Sequence, residues 1–187
     1  PDNDFRPKKF IPGAYGDVSR KFNSNIVYIA NLLALRQWYR FVRRDFFCRN
    51  KYGGALYEGA HNVLDEAIHE RIRQMRVFVQ NLDKSVIIVK KIFSASVLNK
   101  QQRFVQNWPR VEAYLLGLHE ENISPKKRGA FIKMIQRQSD KTGSYLDAVR
   151  ALTPEQAQTG TGWLNDIVEE ITAECLNKSR ALQQKDK

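Results

Sequence analysis

Apolar residues recur at spacings of three and four along most of this chain, and a two-residue rhythm replaces them only near the amino terminus. From Ala55 to about Leu82, the residues Leu56, Ala60, Val63, Leu64, Ala67, Ile68, Ile72 and Met75 follow the helical period. A second such face runs from Trp163 to Ala181 through Leu164, Ile167, Val168, Ile171, Cys175 and Leu176. Between them the pattern predicts helices over 97–107, 109–121 and 125–138. The second opens with Pro109 and the third with Ser124-Pro125, both helix-start signatures. Thr153-Pro154-Glu155-Gln156 has the spacing of a capping box, followed by interruptions at Gly160 and Gly162. The apolar run from Val86 to Phe93 suits a buried strand or a helix, and its proline-free surroundings favour helix.

Residues 18–30 differ. Lys21, Asn23 and Asn25 fall on one side of a two-residue period, with Phe22, Ser24 and Ile26 on the other, and Val27, Tyr28 and Ile29 have high strand propensity. This predicts one short strand, followed by a helix that Asn31 caps and that runs to about Phe47. The glycines ending Cys48–Gly54 read as a turn. The alternative is that residues 18–30 simply begin the first helix. A lone strand leaves its backbone N–H and C=O groups unpaired, so it needs a partner, and the same strand of a second copy supplies one across a twofold axis. The expected fold is mainly α, a ribbon-helix-helix with one N-terminal strand pairing across a dimer and additional C-terminal helices. Residues 1–17 read as a flexible basic arm, 18–82 as the DNA-binding and dimerisation region, and 83–187 as a helical extension.

Charge sharpens this picture. The 187 residues carry 31 Lys and Arg against 20 Asp and Glu, a formal net charge of +11. Residues 1–54 hold 11 basic against 4 acidic residues, whereas residues 139–187 hold 6 against 8. A basic surplus concentrated in the first third favours a polyanionic partner there. Arg36, Arg40, Arg43 and Arg44 are interleaved with Trp38, Tyr39, Phe41, Phe46 and Phe47, aromatics that suit a core better than a base-stacking platform.

A two-stranded ribbon fits the major groove of double-stranded DNA, where Lys donates to guanine and Asn bonds adenine. The base-reading candidates are Lys21, Asn23 and Asn25. The phosphate-binding candidates are Arg20, Asn31, Arg36, Arg40, Arg43 and Arg44, helped by the free N–H groups of a helix start. A one-residue slip of register would present Phe22, Ser24 and Ile26 instead. The order strand, helix, turn, helix resembles the ribbon-helix-helix fold. More particularly, three features together resemble a family carried by conjugative plasmids and integrating conjugative elements, which includes the AcaB-type transcriptional activators. These are the alternating stretch leading into Ala34-Leu35-Arg36-Gln37-Trp38, the amphipathic helix from Ala55, and the segment Val111 to Gln138. The likeness covers residues 18–138 in layout, and its local motif is Ala-Leu-Arg-x-Trp. It implies a homodimeric activator of conjugative-transfer genes. Residues 139–187 lie outside the likeness; being acidic and amphipathic, they are expected to widen the dimer interface or dock another transcription or conjugation protein.

Other chemistry is thin. Glu66-x-x-His69 matches a di-iron helix spacing without the second pair that such a site needs, and His61 with His69 lacks a carboxylate or thiolate partner. Lys126-Lys127-Arg128 reads as a solvated helix start or a secondary phosphate contact. There is no Gly-rich phosphate loop, nucleophile–His–acid arrangement or paired-carboxylate signature, so no enzyme, cofactor, metal or catalytic residue is expected. Cys48 and Cys175 are isolated, no leader pattern is visible and no run reaches membrane-span length, which together suggest a bacterial cytoplasmic chain without a membrane partner. The rival readings are a helical accessory protein of a conjugation, secretion or phage assembly apparatus, and an RNA-binding protein.

Overall fold

A computed structural model describes residues 18–44, 53–89 and 95–180. Helix α1 (Val18–Trp38) runs directly into a π-helical turn, Tyr39–Arg43. Helices α2 (Gly53–Val89) and α3 (Ala95–Leu116) follow, then a 3₁₀ turn at Glu120–Asn122. The chain continues through α4 (Pro125–Thr142), α5 (Tyr145–Arg150) and α6 (Pro154–Arg180). The fold is mainly α, as expected, and the described residues contain no strand. None of their helices is long and apolar enough to cross a membrane.

Helix α1 packs against α2 and α6, and α3 closes the ring by packing against the same two, which makes a four-helix bundle. Across its centre the rings of Phe22 and Phe104 meet edge to face, with centroids 4.3 Å apart. Helix α4 pairs with α5 and lies along α6 outside the ring.

The predicted N-terminal ribbon is not what residues 18–30 form. They are the first half of α1, because tertiary burial selects the helical period over the two-residue one. Phe22, Ile26, Ile29, Ala30 and Leu33 fall on one helical face and are all 2% exposed or less. A strand would send Ile26 and Ile29 to opposite sides. Ser24, Val27, Tyr28 and Asn31 occupy the exposed side. Asn31 is therefore mid-helix rather than an N-cap, and its side-chain amide donates to the Val27 carbonyl at 2.7 Å. The backbone groups that a dimeric ribbon would pair are taken up inside the helix.

Two further breaks expected from the sequence are absent. Pro109 lies inside α3, where apolar burial of Trp108 and Val111 beside it offsets the roughly 3 kcal/mol that an interior proline costs. Helix α6 continues through Gly160 and Gly162. The capping box at its start does form: the Thr153 N–H donates to Gln156 Oε1 at 3.0 Å, and the Gln156 N–H to Thr153 Oγ1 at 3.3 Å. One apolar cluster runs from Phe22 to Cys175, so packing among the described residues does not divide at residue 82. The proposed arm, residues 1–17, lies outside the described residues, as does most of the 48–54 turn.

Gly160 has a packing reason. A Cβ there would lie 2.6 Å from the ring of Phe131, which reaches across from α4. Gly160→Ala should lower stability by about 1–3 kcal/mol through overpacking, read as a shifted urea midpoint. Pairing it with Phe131→Leu should recover part of the loss, whereas Gly162→Ala, which meets nothing within 4 Å, should not destabilise.

Candidate nucleic-acid interface

The basic residues fall into two groups, those engaged within the fold and those left facing outward. Arg36 belongs to the first. Its Nη1 lies 2.6 Å from Asp65 Oδ1 on α2, and its Nη2 lies 2.6 Å from Glu120 Oε1 in the 3₁₀ turn. Its Nε donates to the same Glu120 oxygen at 2.7 Å, and Glu120 is only 2% exposed. Among the described residues this guanidinium is the one side-chain partner of a buried carboxylate, and it pins three elements together, so it is not available to phosphate. Burial alone would push the Asp65 carboxyl up, but the hydrogen bond and charge of Arg36, with His61 adding to them, hold it below the usual carboxylate range.

The other predicted residues scatter. Asn23 and Asn25 are half-buried within α1, so they do not project together as a reading edge. Arg20 and Lys21 lie in the first turn of the same helix, with side chains outside the described set. Arg40, Arg43 and Arg44 do lie together, on the π-helical turn and the residue after it. That turn packs beside α4 and α5: Trp38 lies 5.7 Å from Phe131 between ring centroids, and the Arg128 guanidinium sits 4.2 Å above the Phe41 ring. Arg43 stacks 5.9 Å from the Tyr145 ring. Arg40 is 49% exposed and only loosely paired, 3.9 Å from Glu121. Arg44 is exposed.

The arrangement that sequence reasoning touched only at its first turn, as Lys126-Lys127-Arg128, lies on α4. This helix starts at Pro125 after Ser124 and ends at Gly143, whose φ of 70° suits the left-handed terminus and whose N–H donates to the Ser139 carbonyl at 2.8 Å. Phe131, Ile135 and Ser139 face inward, one every four residues. Lys126, Lys133, Arg137 and Lys141 fall on the opposite side, within an arc of about 80° and along about 22 Å of axis. All four are exposed. None makes an ion pair or hydrogen bond among the described residues. The helix holds six cations against one anion, Asp140.

Elsewhere several cations are matched, and those that are not, such as Lys84, Arg103 and Arg110, do not form a row on one helix. Arg73 pairs with Glu70 at 2.6 Å, Arg76 with Glu112 at 2.7 Å and Lys178 with Glu174 at 2.8 Å. On α4 itself, Lys127 reaches Asp166 of α6 at 2.7 Å, and Ser124 Oγ donates to the same carboxylate at 2.5 Å. Those two hydrogen bonds, Lys127 first, hold Asp166 below its ordinary range. The signal for the stripe was present in the sequence as cations at 133, 137 and 141, in phase with Lys126 and opposite Phe131 and Ile135.

No protein-family model, curated protein or solved structure matches the chain. Among the described residues no group of three or more His, Cys, Asp or Glu side chains is placed to hold a metal. His61 contacts Asp65 at 3.2 Å, while His69 turns back to the Asp65 carbonyl at 2.8 Å.

The Arg36 network makes a sharp prediction. Arg36→Ala leaves Glu120 buried and uncompensated and should cost about 3–5 kcal/mol in urea unfolding at neutral pH. Asp65, held down when folded, contributes stability that is complete above its unfolded value of about 3.9 and is lost as pH falls through the lower folded value. Stability of Arg36→Ala should therefore fall less steeply than that of the parent across this acidic window.

Proposed function

We propose that this protein binds nucleic acid through phosphate contacts along the outward face of α4, with Arg40 and Arg44 on the adjoining turn extending the surface. The observation that carries the reading is the segregation of charge. Arg73 and Arg76 on α2 and Lys178 on α6 are each paired with an acid, and the cations without an ion pair there, such as Lys84, Arg103 and Arg110, are spread over α2 and α3, whereas four on α4 line one face without a partner among the described residues. Parallel placement of like charges on one helix face is unfavourable in isolation. A polyanion relieves that repulsion and releases its own counterions. The regulatory role in conjugative transfer, implied by the resemblance to AcaB-type activators, enters the proposal as a setting for DNA contact. Lys21, Asn23 and Asn25 do not serve it as a ribbon.

A second reading has its own support. Val27, Tyr28 and Leu35 on α1 and Leu56 and Val63 on α2 are large apolar residues left 38–64% exposed. The two helices are neighbours, joined by the Arg36–Asp65 pair and by Arg71 stacked 4.4 Å over Tyr28. Such a surface favours a protein partner, whether a second copy or an assembly component, and it is compatible with nucleic-acid binding at α4.

Fluorescence anisotropy with a labelled duplex tests the main reading. Four phosphate contacts imply a salt slope of about −3.6, or roughly a hundredfold loss of affinity between 50 and 200 mM salt. Lys126→Ala, Lys133→Ala, Arg137→Ala and Lys141→Ala combined should remove that α4 contribution, leaving only the smaller slope of Arg40 and Arg44, with the far-UV spectrum intact. Removing as many charges from α2 and α3 (Arg73, Lys84, Arg103 and Arg110 to Ala) should change binding far less. Equal losses from the two variants would mean that net charge, not the α4 face, does the binding.

A further inference from the structure

We infer that the ligand of the α4 face is the phosphate backbone of a duplex, held without regard to base sequence. This rests on the nucleic-acid reading above and names the form of nucleic acid that the face accepts.

The first argument is the absence of a stacking platform. Single strands are gripped by aromatic side chains on which bases stack, worth roughly 1–3 kcal/mol per base. No exposed position of α4, from Pro125 to Thr142, carries an aromatic ring. Among the described residues, three neighbouring rings are engaged: Phe131 is buried against Trp38, Phe41 lies under Arg128, and Tyr145 is buried beside Arg43. A single strand would find charge along α4 and no exposed ring on that helix to stack on.

The second argument is charge density. A duplex carries one phosphate per about 1.7 Å of axis, or about 3.4 Å on each strand, so a stripe of about 22 Å lies along roughly six phosphates of one ridge with the second strand's charge close behind, and the counterion-release slope per contact is steeper than for a single strand. With electrostatics as the main attraction, the denser polyanion wins.

The third argument concerns sequence. Reading base edges needs Asn, Gln, Arg or Lys side chains pointed into a groove, commonly as bidentate pairs. Here the cations form one narrow line rather than two flanking rows, which matches a single phosphate ridge and not the two ridges that border an inserted helix. Gln136 is the one exposed amide on the helix, and Asp140 repels phosphate. Because the contact is with the outside of the duplex, B-form DNA and A-form RNA duplexes should be held alike.

The full chain would be titrated by anisotropy against four labelled probes of equal length: a mixed-sequence DNA duplex, a duplex of permuted sequence and the same composition, an RNA duplex, and a DNA single strand. The expected result is three duplexes bound within about threefold of one another and the single strand at least tenfold more weakly. A single strand bound less than tenfold more weakly overturns the inference, as does a difference beyond threefold between the two DNA duplexes or between DNA and RNA. Repeating the titration with the four-alanine α4 variant separates the two levels of the proposal. If that variant binds every probe as the parent does, the face itself is wrong. If it loses binding while the parent ranks the probes differently from expectation, the face stands and the duplex inference falls.

Discussion

The ring of Phe131 lies where a side chain at residue 160 would otherwise be, and that contact sets how α4 sits on the bundle. A helix lying on a surface can in principle rotate about its axis, and each rotation buries a different row of side chains. Phe131 removes that freedom, because it needs both the gap left by Gly160 and the flank of Trp38. With Phe131 inward, Ile135 and Ser139 follow one turn apart, and Lys126, Lys133, Arg137 and Lys141 are carried to the far side. The cationic stripe is thus a consequence of apolar packing on the opposite face. Its rigidity is inherited from the core rather than from any interaction of its own.

Arg36 shows the opposite use of the same charge. Placed between Asp65 and Glu120, it neutralises a carboxylate that could not otherwise remain buried, and in doing so it connects α1, α2 and the turn that leads into α4. Such a triad contributes modest net stability yet is costly to break, because the survivor is stranded in a poorly solvated place. Cations therefore divide by environment and not by residue type. Arg36 and Arg128 are drawn inward by acceptors and rings, while the α4 row faces solvent and makes no ion pair among the described residues.

The outward face of α1 is a different kind of surface. Ser24, Val27, Tyr28, Asn31 and Leu35 carry no charge at all, in a chain where 27% of residues are charged. Nucleic acid would gain little there. The two surfaces, one cationic on α4 and one neutral on α1 and α2, are distinct in chemistry and suit distinct partners.

The helical character of the chain was legible from residue spacing alone, since periods of three and four over Ala55 to Leu82 and from Trp163 onward admit little else. Local capping was equally legible, because Thr153 and Gln156 satisfy each other's backbone N–H whatever surrounds them. The alternation at 21–26 misled, since Phe22 and Ile26, four apart with Ser24 between them, fit a two-residue period and one face of a helix alike. Only the company of α2 and α6 decided it, by giving Phe22, Ile26, Ile29 and Leu33 one face to bury. The same holds for Gly160 and Pro109, which read as breaks locally and are overridden by the packing around them. Charge could be counted along the chain, but which arginine is spent inside the fold and which lysines remain for a ligand depends on where the acids lie in space. That is a property of the packed helices and not of the order of residues.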